Sequence, residues 1–328
     1  MSIERIAVIG GGAWGTALSQ VAAKAGRDVL LWAMENEVVE AINGCHENPV
    51  FLPGIALDPG IRATDKLDEI GDADAWLVVT PAQHMRAVLE QAPRCDLPRV
   101  LCSKGIEEHR CELLHQVAAE ACPGAPVAVL SGPTFAHEVA RGLPTAVTLA
   151  AEDRQVAQQV RNAIARPEFR IYLSDDVAGA EIGGAVKNVL AIACGVVEGR
   201  GLGQNARAAL IARGFAEMTR FGVAMGARPE TLAGLSGLGD LVLTCSSTSS
   251  RNYSLGKGIG EGRDAAELMA DRRTVAEGAF TAPVLARLAS ERGIDMPIVD
   301  AVDRLLKGAA IDAVVEALLS RPPKSEGI

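Results

Sequence analysis

The first half of the chain alternates short apolar runs with segments of helical periodicity. Each apolar run is continuous and of strand length, as expected where helices cover both faces of a parallel sheet. The runs that predict strands are residues 6–9, 29–32, 75–79, 100–102, 127–130, 146–149 and 169–173. The segments that predict helices between them are residues 16–25, 35–42, 85–91 and 111–121. This alternation indicates right-handed strand–helix–strand units and a doubly wound parallel sheet.

After Ser174 the pattern changes to Ala-, Leu- and Glu-rich helical periodicity, which continues to about Lys307. The segments that predict helices there are residues 180–197, 206–224, 229–235, 265–269, 281–291 and 297–306. We therefore expect an α/β protein with two domains: an N-terminal doubly wound sheet over residues 1–175 and an all-α C-terminal domain over residues 176–328. The proline-containing tail, residues 321–328, should be frayed.

Composition agrees with this organisation and excludes several classes of protein. The 328 residues correspond to two domains at about 150 residues each. A formal net charge of −9 argues against partners such as nucleic acid or an anionic membrane surface, which require basic patches. No uncharged apolar run reaches the ~18 residues of a membrane span, so no integral membrane segment is expected. The first residues also lack the basic region of a signal peptide.

The cysteine pattern indicates a reducing compartment. The seven cysteines are an odd number and contain no Cys-x-x-Cys pair, which predicts free, mostly buried thiols and a cytoplasmic location. Four of them lie between residues 95 and 122, but their spacing is not that of zinc ligands. No metal site is expected.

A glycine motif follows the first predicted strand and opens a helix. Gly10, Gly12 and Gly15 fit G-x-G-x-x-G, with Ala13 and Trp14 between the last two glycines. In this position the glycines permit a tight turn, close approach of the backbone to a pyrophosphate, and close packing of helix on strand. The start of the helix offers free N–H donors to the phosphates. The motif predicts a Rossmann-type dinucleotide-binding domain; the alternative is a glycine-rich turn without a ligand.

The choice between NAD and NADP stays open. Glu35, shortly after the second strand, lies where an acid would bind the ribose 2′-hydroxyl of NAD, and no arginine lies nearby to bind the 2′-phosphate of NADP. The same glutamate could simply favour the first turn of a helix.

Two lysines are candidates for chemistry. Lys187 carries the one charge within residues 182–197, and an ammonium in apolar surroundings is expected to have a lowered pKa or a paired carboxylate. Such a lysine can act as a general acid or base, whereas the structural alternative is a salt-bridged or snorkelling lysine. Lys104 follows a strand, at the edge of the sheet where ligands bind in this class of fold. A surface loop lysine is the competing interpretation.

Three further segments indicate ligand-binding loops. Residues 130–136 follow a strand and lead into a helix. Asp240 lies among small and apolar residues and therefore requires a cationic partner, for which we nominate Lys187. Five Ser and Thr residues precede Arg251 and Asn252, a composition that suits a phosphate with arginine as the forked donor. The alternative for this last segment is a polar linker.

These features occur in blocks that together resemble one enzyme family. The blocks are residues 10–18, 103–105, 130–147, 179–190, 205–226 and 233–252. In this order they resemble the bacterial NAD(P)-dependent glycerol-3-phosphate dehydrogenases over nearly the whole chain. The resemblance implies a Rossmann domain followed by a helical substrate domain, and reversible reduction of dihydroxyacetone phosphate to sn-glycerol 3-phosphate for phospholipid biosynthesis. It also implies a homodimer.

The resemblance assigns roles to individual residues. Lys187 would donate the proton during reduction and accept it during oxidation, with Lys104 and Asp240 completing the catalytic set. The residues implied to bind substrate are Lys104, Gly132, Thr134, Lys187, Asp240, Ser250, Arg251 and Asn252. The residues implied to bind NAD or NADP are Gly10, Gly12, Ala13, Trp14, Gly15, Phe51, Lys104, Ala136, Arg251, Val275 and Glu277.

The chain departs from the family pattern at two positions. Met34 stands where many members have Arg or His, which weakens the case for NADP. Phe51 stands where many have Tyr, so a phenolic hydrogen bond is absent.

Two alternatives remain at this stage. A β-hydroxyacid dehydrogenase shares the layout, but typically has Asn one helical turn after its catalytic lysine, where this chain has Ala191. A nucleotide-sensing regulator without catalytic activity is the other.

Overall fold

The computed structural model of the chain describes residues 2–270 and 276–322. It contains two compact units. Unit 1 comprises Met1–Ser103 and Leu114–Ala180, and unit 2 comprises Lys104–Leu113 and Glu181–Ile328. The short segment Lys104–Leu113 therefore belongs with the C-terminal part of the chain. The roles expected of the two domains, dinucleotide binding and substrate binding, stay a prediction.

Unit 1 is built on an eight-stranded sheet with strand order β3-β2-β1-β4-β5-β6-β7-β8. The strands are β1 (Arg5–Ile9), β2 (Asp28–Trp32), β3 (Ile61–Thr64), β4 (Ala75–Val78), β5 (Arg99–Leu101), β6 (Val127–Ser131), β7 (Thr145–Ala150) and β8 (Phe169–Ser174). The helices are α1 (Ala13–Lys24), α2 (Asn36–Cys45), α3 (Met85–Gln91), α4 (Leu114–Ala121), α5 (Ala136–Ala140) and α6 (Arg154–Ile164). Two 3₁₀ turns lie at Leu67–Asp72 and Ala82–His84. The predicted Rossmann-type α/β sheet is confirmed.

Both faces of this sheet are covered, as the continuous apolar runs predicted. In β1, Ile6 and Val8 belong to the core cluster on one face, which includes residues of α1. Ala7 and Ile9 belong to the cluster on the other face, which includes residues of α3. Because side chains alternate along a strand, the buried positions of β1 on both faces, residues 6–9, are all apolar.

One pair of strands departs from the parallel arrangement that the apolar runs indicated. β6 and β7 run antiparallel, with Leu130 opposite Leu149. The connecting helix α5 has five residues and spans only about 7.5 Å, too short to return the chain along β6. The eleven-residue α6 does make that return, and β7 and β8 are parallel.

One strand and one α-helix of unit 1 were not predicted. β3 is a four-residue edge strand interrupted by Arg62, so it lacks a continuous apolar run. α6 is rich in Gln and Arg, which hid its apolar stripe. The sequence did contain one signal for the start of α6, since Asp is a preferred N-cap residue. In the structure Asp153 caps this helix by accepting a hydrogen bond from the Gln155 backbone N–H at 2.7 Å.

Unit 2 is helical, as predicted. Its helices are α7 (Val177–Gly199, which begins before the unit boundary), α8 (Gly203–Ala224), α9 (Pro229–Leu232), α10 (Asp240–Thr244), α11 (Arg251–Gly260), α12 (Ala265–Met269), α13 (Glu277–Glu291), α14 (Pro297–Leu306) and α15 (Ile311–Leu319). A π-helical turn at Leu235–Gly239 leads into α10. α10, α11 and α15 were not predicted; the segment around Asp240 was expected to be a loop, and it forms α10.

Close packing of α7 against α11 sets the position of the start of α11. A Cβ on Gly195 would lie 2.1 Å from the Tyr253 carbonyl oxygen, and one on Gly256 would lie 1.9 Å from that of Ile192. Only glycine permits two helix backbones to approach so closely. One turn further along both helices, a Cβ on Gly260 would lie 2.5 Å from the Val196 carbonyl oxygen. The contacts of Gly256 and Gly260 therefore run in the same order along α11 and α7, and the start of α11 lies beside the part of α7 before Ile192.

α7 is the one helix among the described residues that is long and apolar enough to cross a membrane. All of its most apolar 18-residue window is buried inside the protein. Such burial is typical of a core helix.

All seven cysteines are free, as predicted. The expectation that most are buried is wrong: Cys102, Cys194 and Cys245 are buried, Cys45 is exposed, and the other three are half-buried. Cys45 is the last residue of a surface helix, where the burial expected of a free thiol does not apply. Within the described parts of the chain, no group of three or more His, Cys, Asp and Glu side chains could hold a metal ion.

Candidate active site

A buried ion pair forms the centre of the candidate site in unit 2. Lys187 lies in the middle of α7, and its Nζ donates to Asp240 Oδ1 at 2.8 Å and to Thr244 Oγ1 at 2.9 Å. The Asp240 side chain is fully buried, and that of Lys187 is 7% exposed. The nominated pairing of Lys187 with Asp240 is therefore present. Thr244, one turn after Asp240 on α10, was not predicted.

The turn before α10 brings Asp240 to this place. Gly183 on α7, one turn before Lys187, touches the turn at Leu235–Gly239: its Cβ would lie 2.4 Å from the Ser236 carbonyl oxygen. Glycine at position 183 thus permits the turn to pack directly on α7. The first residue after the turn is Asp240, whose carboxylate faces the same helix.

Lys104 holds the second oxygen of the same carboxylate. Its Nζ lies 2.6 Å from Asp240 Oδ2, and its side chain is 14% exposed. The segment that carries it is closed by a backbone hydrogen bond from Glu107 N to Glu112 O at 3.0 Å. Lys104 is therefore a partner of the buried carboxylate, and the interpretation as a surface loop lysine is wrong.

The pKa of Lys187 is lowered to about 8. Burial is the main cause, because the ammonium loses its hydration; the charge on Lys104 lowers the pKa further, and Asp240 opposes both. An amine with this pKa exists in both protonation states near neutral pH. It can therefore donate or accept a proton.

A chain of buried amides lies next to Lys187. Asn252 Nδ2 donates to Asn188 Oδ1 at 3.0 Å, and Asn252 Oδ1 accepts from the Gly278 backbone N–H at 2.9 Å. Both asparagines are buried. Asn188 directly follows Lys187, and sequence reasoning had not assigned it a role in this chain.

The predicted phosphate residues lie at the start of α11. Ser250 is the N-cap of this helix, and its Oγ accepts from the Tyr253 backbone N–H at 3.2 Å. Arg251 is the first helical residue; it is exposed and interacts electrostatically with Glu277. The helix N-terminus and the guanidinium both favour an anion.

The glycine motif of unit 1 forms the turn between β1 and α1. Gly10 has φ +127°, and a Cβ there would lie 3.0 Å from the Val79 backbone, while a Cβ on Gly15 would lie 1.9 Å from the Gly10 carbonyl oxygen. By contrast, nothing lies within 4 Å of a Cβ built on Gly12, so the backbone is open at that point. Gly10 and Gly15 thus have the predicted tight turn and close packing, while the approach of a pyrophosphate to Gly12 stays a prediction.

The surroundings of the motif fit a dinucleotide. α1 has no side-chain cap and no acidic residue in its first turn, which leaves its N-terminus suited to phosphates. Among the buried polar atoms without a hydrogen-bond partner in the described parts of the chain are Trp14 Nε1, Thr80 Oγ1 and Ser131 Oγ, all in unit 1. Thr80 adjoins Gly10, and a ligand with polar atoms would satisfy such groups.

Two family models together match almost the whole chain. One, described as the N-terminus of NAD-dependent glycerol-3-phosphate dehydrogenase, matches residues 5–157, and the other, described as its C-terminus, matches residues 176–316. The chain belongs to the NAD-dependent glycerol-3-phosphate dehydrogenase family. This is a family of NAD(P)-dependent oxidoreductases. This family assignment disfavours both alternatives that the sequence left open, a β-hydroxyacid dehydrogenase and a nucleotide-sensing regulator without catalytic activity.

Named relatives and a solved structure agree with the family assignment. A glycerol-3-phosphate dehydrogenase (NAD(P)+) of Erythrobacter litoralis is 65% identical over 321 residues, which cover 98% of this chain and 97% of the relative. One from Parvibaculum lavamentivorans is 61% identical over 330 residues, with 99% of each chain covered. The crystal structure of glycerol-3-phosphate dehydrogenase from Coxiella burnetii is 37% identical, covers 97% of this chain and 99% of its own, and superposes with a TM-score of 0.93.

The phenylalanine that departs from the usual glycerol-3-phosphate dehydrogenase pattern is held near the glycine motif. Asn48 is fully buried, and its Nδ2 donates to the Gly11 carbonyl oxygen and to Thr16 Oγ1, each at 2.8 Å. Its Oδ1 accepts from the Phe51 backbone N–H at 3.1 Å. No role was assigned to Asn48 from the sequence. Phe51 is half-buried and packs against the core that also contacts Ala13, Trp14 and Ala136.

The remaining candidates of unit 1 follow β2 and β6. Met34 is 74% exposed, and Glu35 is the exposed N-cap of α2. Gly132 has φ +149° and lies so close to β7 that a Cβ would be 3.0 Å from Val147 Cα. Thr134 Oγ1 donates to the Gly132 carbonyl oxygen at 3.3 Å.

Within unit 2 the structure brings together three predicted site residues, Lys104, Lys187 and Asp240. It also brings the predicted Asn252 into contact with Asn188, the residue after Lys187. Glu277, half-buried, is the first residue of α13. Val275 lies outside the described residues, so its predicted role is not addressed by the structure.

Proposed function

We propose that the chain catalyses the reversible reduction of dihydroxyacetone phosphate to sn-glycerol 3-phosphate with NADH or NADPH. The observation that carries the proposal is the Asp240 carboxylate with one lysine on each oxygen, of which Lys187 has a pKa of about 8. The names of the relatives support the substrate and the cofactor. Unit 1 would bind the dinucleotide, and unit 2 would bind the substrate.

Negative charge develops on the ketone oxygen as the carbonyl is reduced, and the two lysines can stabilise it. A buried ammonium interacts with such a charge more strongly than one in water does. Lys187 would then donate its proton from Nζ to this oxygen, and would accept the proton from the hydroxyl in the reverse direction. Asp240 and Thr244 hold the amine in one orientation, while Lys104 adds a second positive charge.

The phosphate of the substrate would be bound apart from the carbonyl. Arg251 offers a forked donor at the start of α11, with Asn252 and Ser250 beside it. Gly132 and Thr134 of unit 1 are proposed as further substrate contacts. Binding energy from the phosphate would orient the ketone for reaction, because a small molecule fixed at one end loses most of its freedom at the other.

The residues that would hold the dinucleotide fit its chemistry. Gly12 and the first turn of α1 would receive the pyrophosphate, with Gly10, Ala13, Trp14 and Gly15 around it. Phe51, Ala136, Lys104, Arg251 and Glu277 are proposed as further contacts. When bound, the nicotinamide supplies the hydride that reduces the ketone.

The cellular setting is part of the same proposal. The product would provide the backbone of glycerophospholipids. Seven free cysteines support a reducing cytoplasm. The resemblance to the family supports a homodimer.

The decisive experiment measures oxidation of NADH and NADPH side by side with dihydroxyacetone phosphate. We expect turnover with this ketone, and none when 2-hydroxy or 3-hydroxy acids are offered with the oxidised cofactors. Turnover of a hydroxy acid without turnover of dihydroxyacetone phosphate would contradict the proposal. Binding of NADH without reduction of any ketone would indicate a regulator instead.

A further inference from the structure

The first turn of α13 contributes a buried backbone donor to the amide chain beside Lys187. The Gly278 N–H donates to Asn252 Oδ1 at 2.9 Å, and Asn252 Nδ2 donates to Asn188 Oδ1 at 3.0 Å. Gly278 and both asparagines are buried. The chain of hydrogen bonds thus joins α13, α11 and α7.

The Gly278 backbone N–H determines which atoms donate and which accept in this series of hydrogen bonds. A backbone N–H can only donate, so Asn252 must present its oxygen to Gly278. Its amide nitrogen then faces Asn188, which must in turn present its oxygen. Both N–H donors of Asn188 remain for other partners. Without Gly278, either asparagine could rotate by 180° and exchange donor for acceptor.

Only glycine can occupy this position without displacing its neighbours. A Cβ on residue 278 would lie 2.5 Å from the Asn188 carbonyl oxygen and 2.9 Å from Asn252 Oδ1. Each of the three residues joined by these hydrogen bonds also directly follows a candidate site residue in the sequence. Asn188 follows Lys187, Asn252 follows Arg251, and Gly278 follows Glu277.

We propose that Gly278 is a positioning residue: its backbone N–H fixes the Asn252 and Asn188 amides and thereby the spacing of Arg251 and Lys187, which hold the two ends of one substrate. This inference rests on the proposed function. Hydrogen bonds in such a chain also polarise one another, so the start of α13 strengthens the donors of Asn188.

The test replaces Gly278 by alanine and compares it with a matched control. Gly222→Ala is the control, because a Cβ there would lie 2.5 Å from Leu232 Cδ1, an equally close approach between α8 and α9 and away from the amide chain. We expect Gly278→Ala to raise the KM for dihydroxyacetone phosphate by about tenfold with a smaller change in kcat. Gly222→Ala should lower the melting temperature without changing that KM. Equal KM values for Gly278→Ala and wild type would overturn the proposal.

A double-mutant cycle separates positioning from general damage. If Gly278 acts through Asn252, Gly278→Ala should have no further effect on kcat/KM in an Asn252→Ala background. Additive effects of the two substitutions would contradict the proposal.

Hydrogen exchange tests the anchoring bond even if Gly278→Ala does not fold. In Asn252→Ala, the amide of residue 278 should exchange faster than in wild type, whereas in Asn48→Ala, a buried asparagine of unit 1, it should not. Unchanged exchange in Asn252→Ala would overturn the proposal. This measurement needs no turnover, so its outcome is distinct from failure of the wild-type protein to reduce dihydroxyacetone phosphate.

Discussion

Lys187 and Asp240 form an ion pair inside unit 2, with Nζ 2.8 Å from Oδ1 and both side chains almost entirely out of contact with solvent. A buried charge without a partner is strongly unfavourable, and here one carboxylate serves two lysines, since Lys104 Nζ lies 2.6 Å from Asp240 Oδ2. With all three groups ionised, the cluster keeps one positive charge in excess. That excess favours an anionic substrate and the negative charge that develops on a ketone oxygen during reduction.

Replacing Lys187 by alanine should remove the proton-transfer group and leave the fold intact, because Asp240 keeps Lys104 as its partner. We expect kcat for dihydroxyacetone phosphate to fall by about 10²–10⁴-fold. Binding of NADH, measured by fluorescence titration, should persist. Lys257→Ala is the control, since Lys257 lies on α11 and pairs with the solvent-accessible Glu261 just beyond the helix. A near-normal kcat for Lys187→Ala would defeat the assignment.

The pH dependence of the two directions should be opposite. Reduction requires the Lys187 ammonium, so kcat/KM for dihydroxyacetone phosphate should fall as pH rises through about 8. Oxidation requires the neutral amine, so kcat/KM for glycerol 3-phosphate should rise over the same range. In Lys104→Met the midpoint should move to higher pH, because the positive charge of Lys104 lowers the pKa of Lys187. A shift to lower pH, or none, would contradict this account.

Arg251→Ala should weaken binding of the substrate phosphate. We expect the KM for dihydroxyacetone phosphate to rise by about tenfold or more, since a charge-assisted hydrogen bond is lost. Arg263→Ala, at an exposed arginine just beyond α11, is the control. An unaltered KM in Arg251→Ala would mean that the phosphate binds elsewhere.

Met34→Arg should improve the use of NADPH relative to NADH. Met34 is exposed just after β2, where an arginine could bind the 2′-phosphate of NADPH. We expect the ratio of kcat/KM for NADPH to that for NADH to rise by about tenfold. Met34→Gln controls for loss of the methionine without a gain of charge. An equal shift of this ratio in both variants would show that a positive charge at position 34 does not bind the 2′-phosphate of NADPH.

Glu217 should make the stability of unit 2 depend on pH. It is buried in α8, where Oε1 accepts from the Ile298 backbone N–H at 2.8 Å and Oε2 from that of Val299 at 3.3 Å. Burial raises its pKa from 4.5 to about 7, which Arg220 opposes and Asp295 reinforces. The folded state therefore holds the proton more tightly than the unfolded state, and stability should be lost as pH rises from about 4.5 to about 7.

Glu217→Gln tests this, because the amide stays neutral and its oxygen can still accept one of the two hydrogen bonds. Relative to this variant, the wild type should lose up to about 3 kcal/mol of unfolding free energy between pH 5 and pH 8. Glu230→Gln, at an exposed glutamate on α9, is the matched control. Parallel stability curves for wild type and Glu217→Gln would contradict the prediction.

The sequence alone determined the features that depend on residues close together in the chain. The turn at Gly10, Gly12 and Gly15 could be predicted because the motif, the preceding strand and the following helix are contiguous. The burial of Lys187 could be predicted because one charge interrupts a long apolar helix. The helical character of unit 2 followed from local periodicity, and the recognisable blocks in order gave the family.

Tertiary structure decided the features that join distant residues. Lys104 and Asp240 meet across 136 positions, and Asn188 and Asn252 across 64, so no local pattern could show these contacts. The antiparallel pairing of β6 with β7 depended on the length of α5, and the placement of α11 depended on glycines of two helices meeting. The chemistry of the site requires particular atoms within hydrogen-bond distance, and only the packing of the whole chain brings atoms so far apart in sequence together.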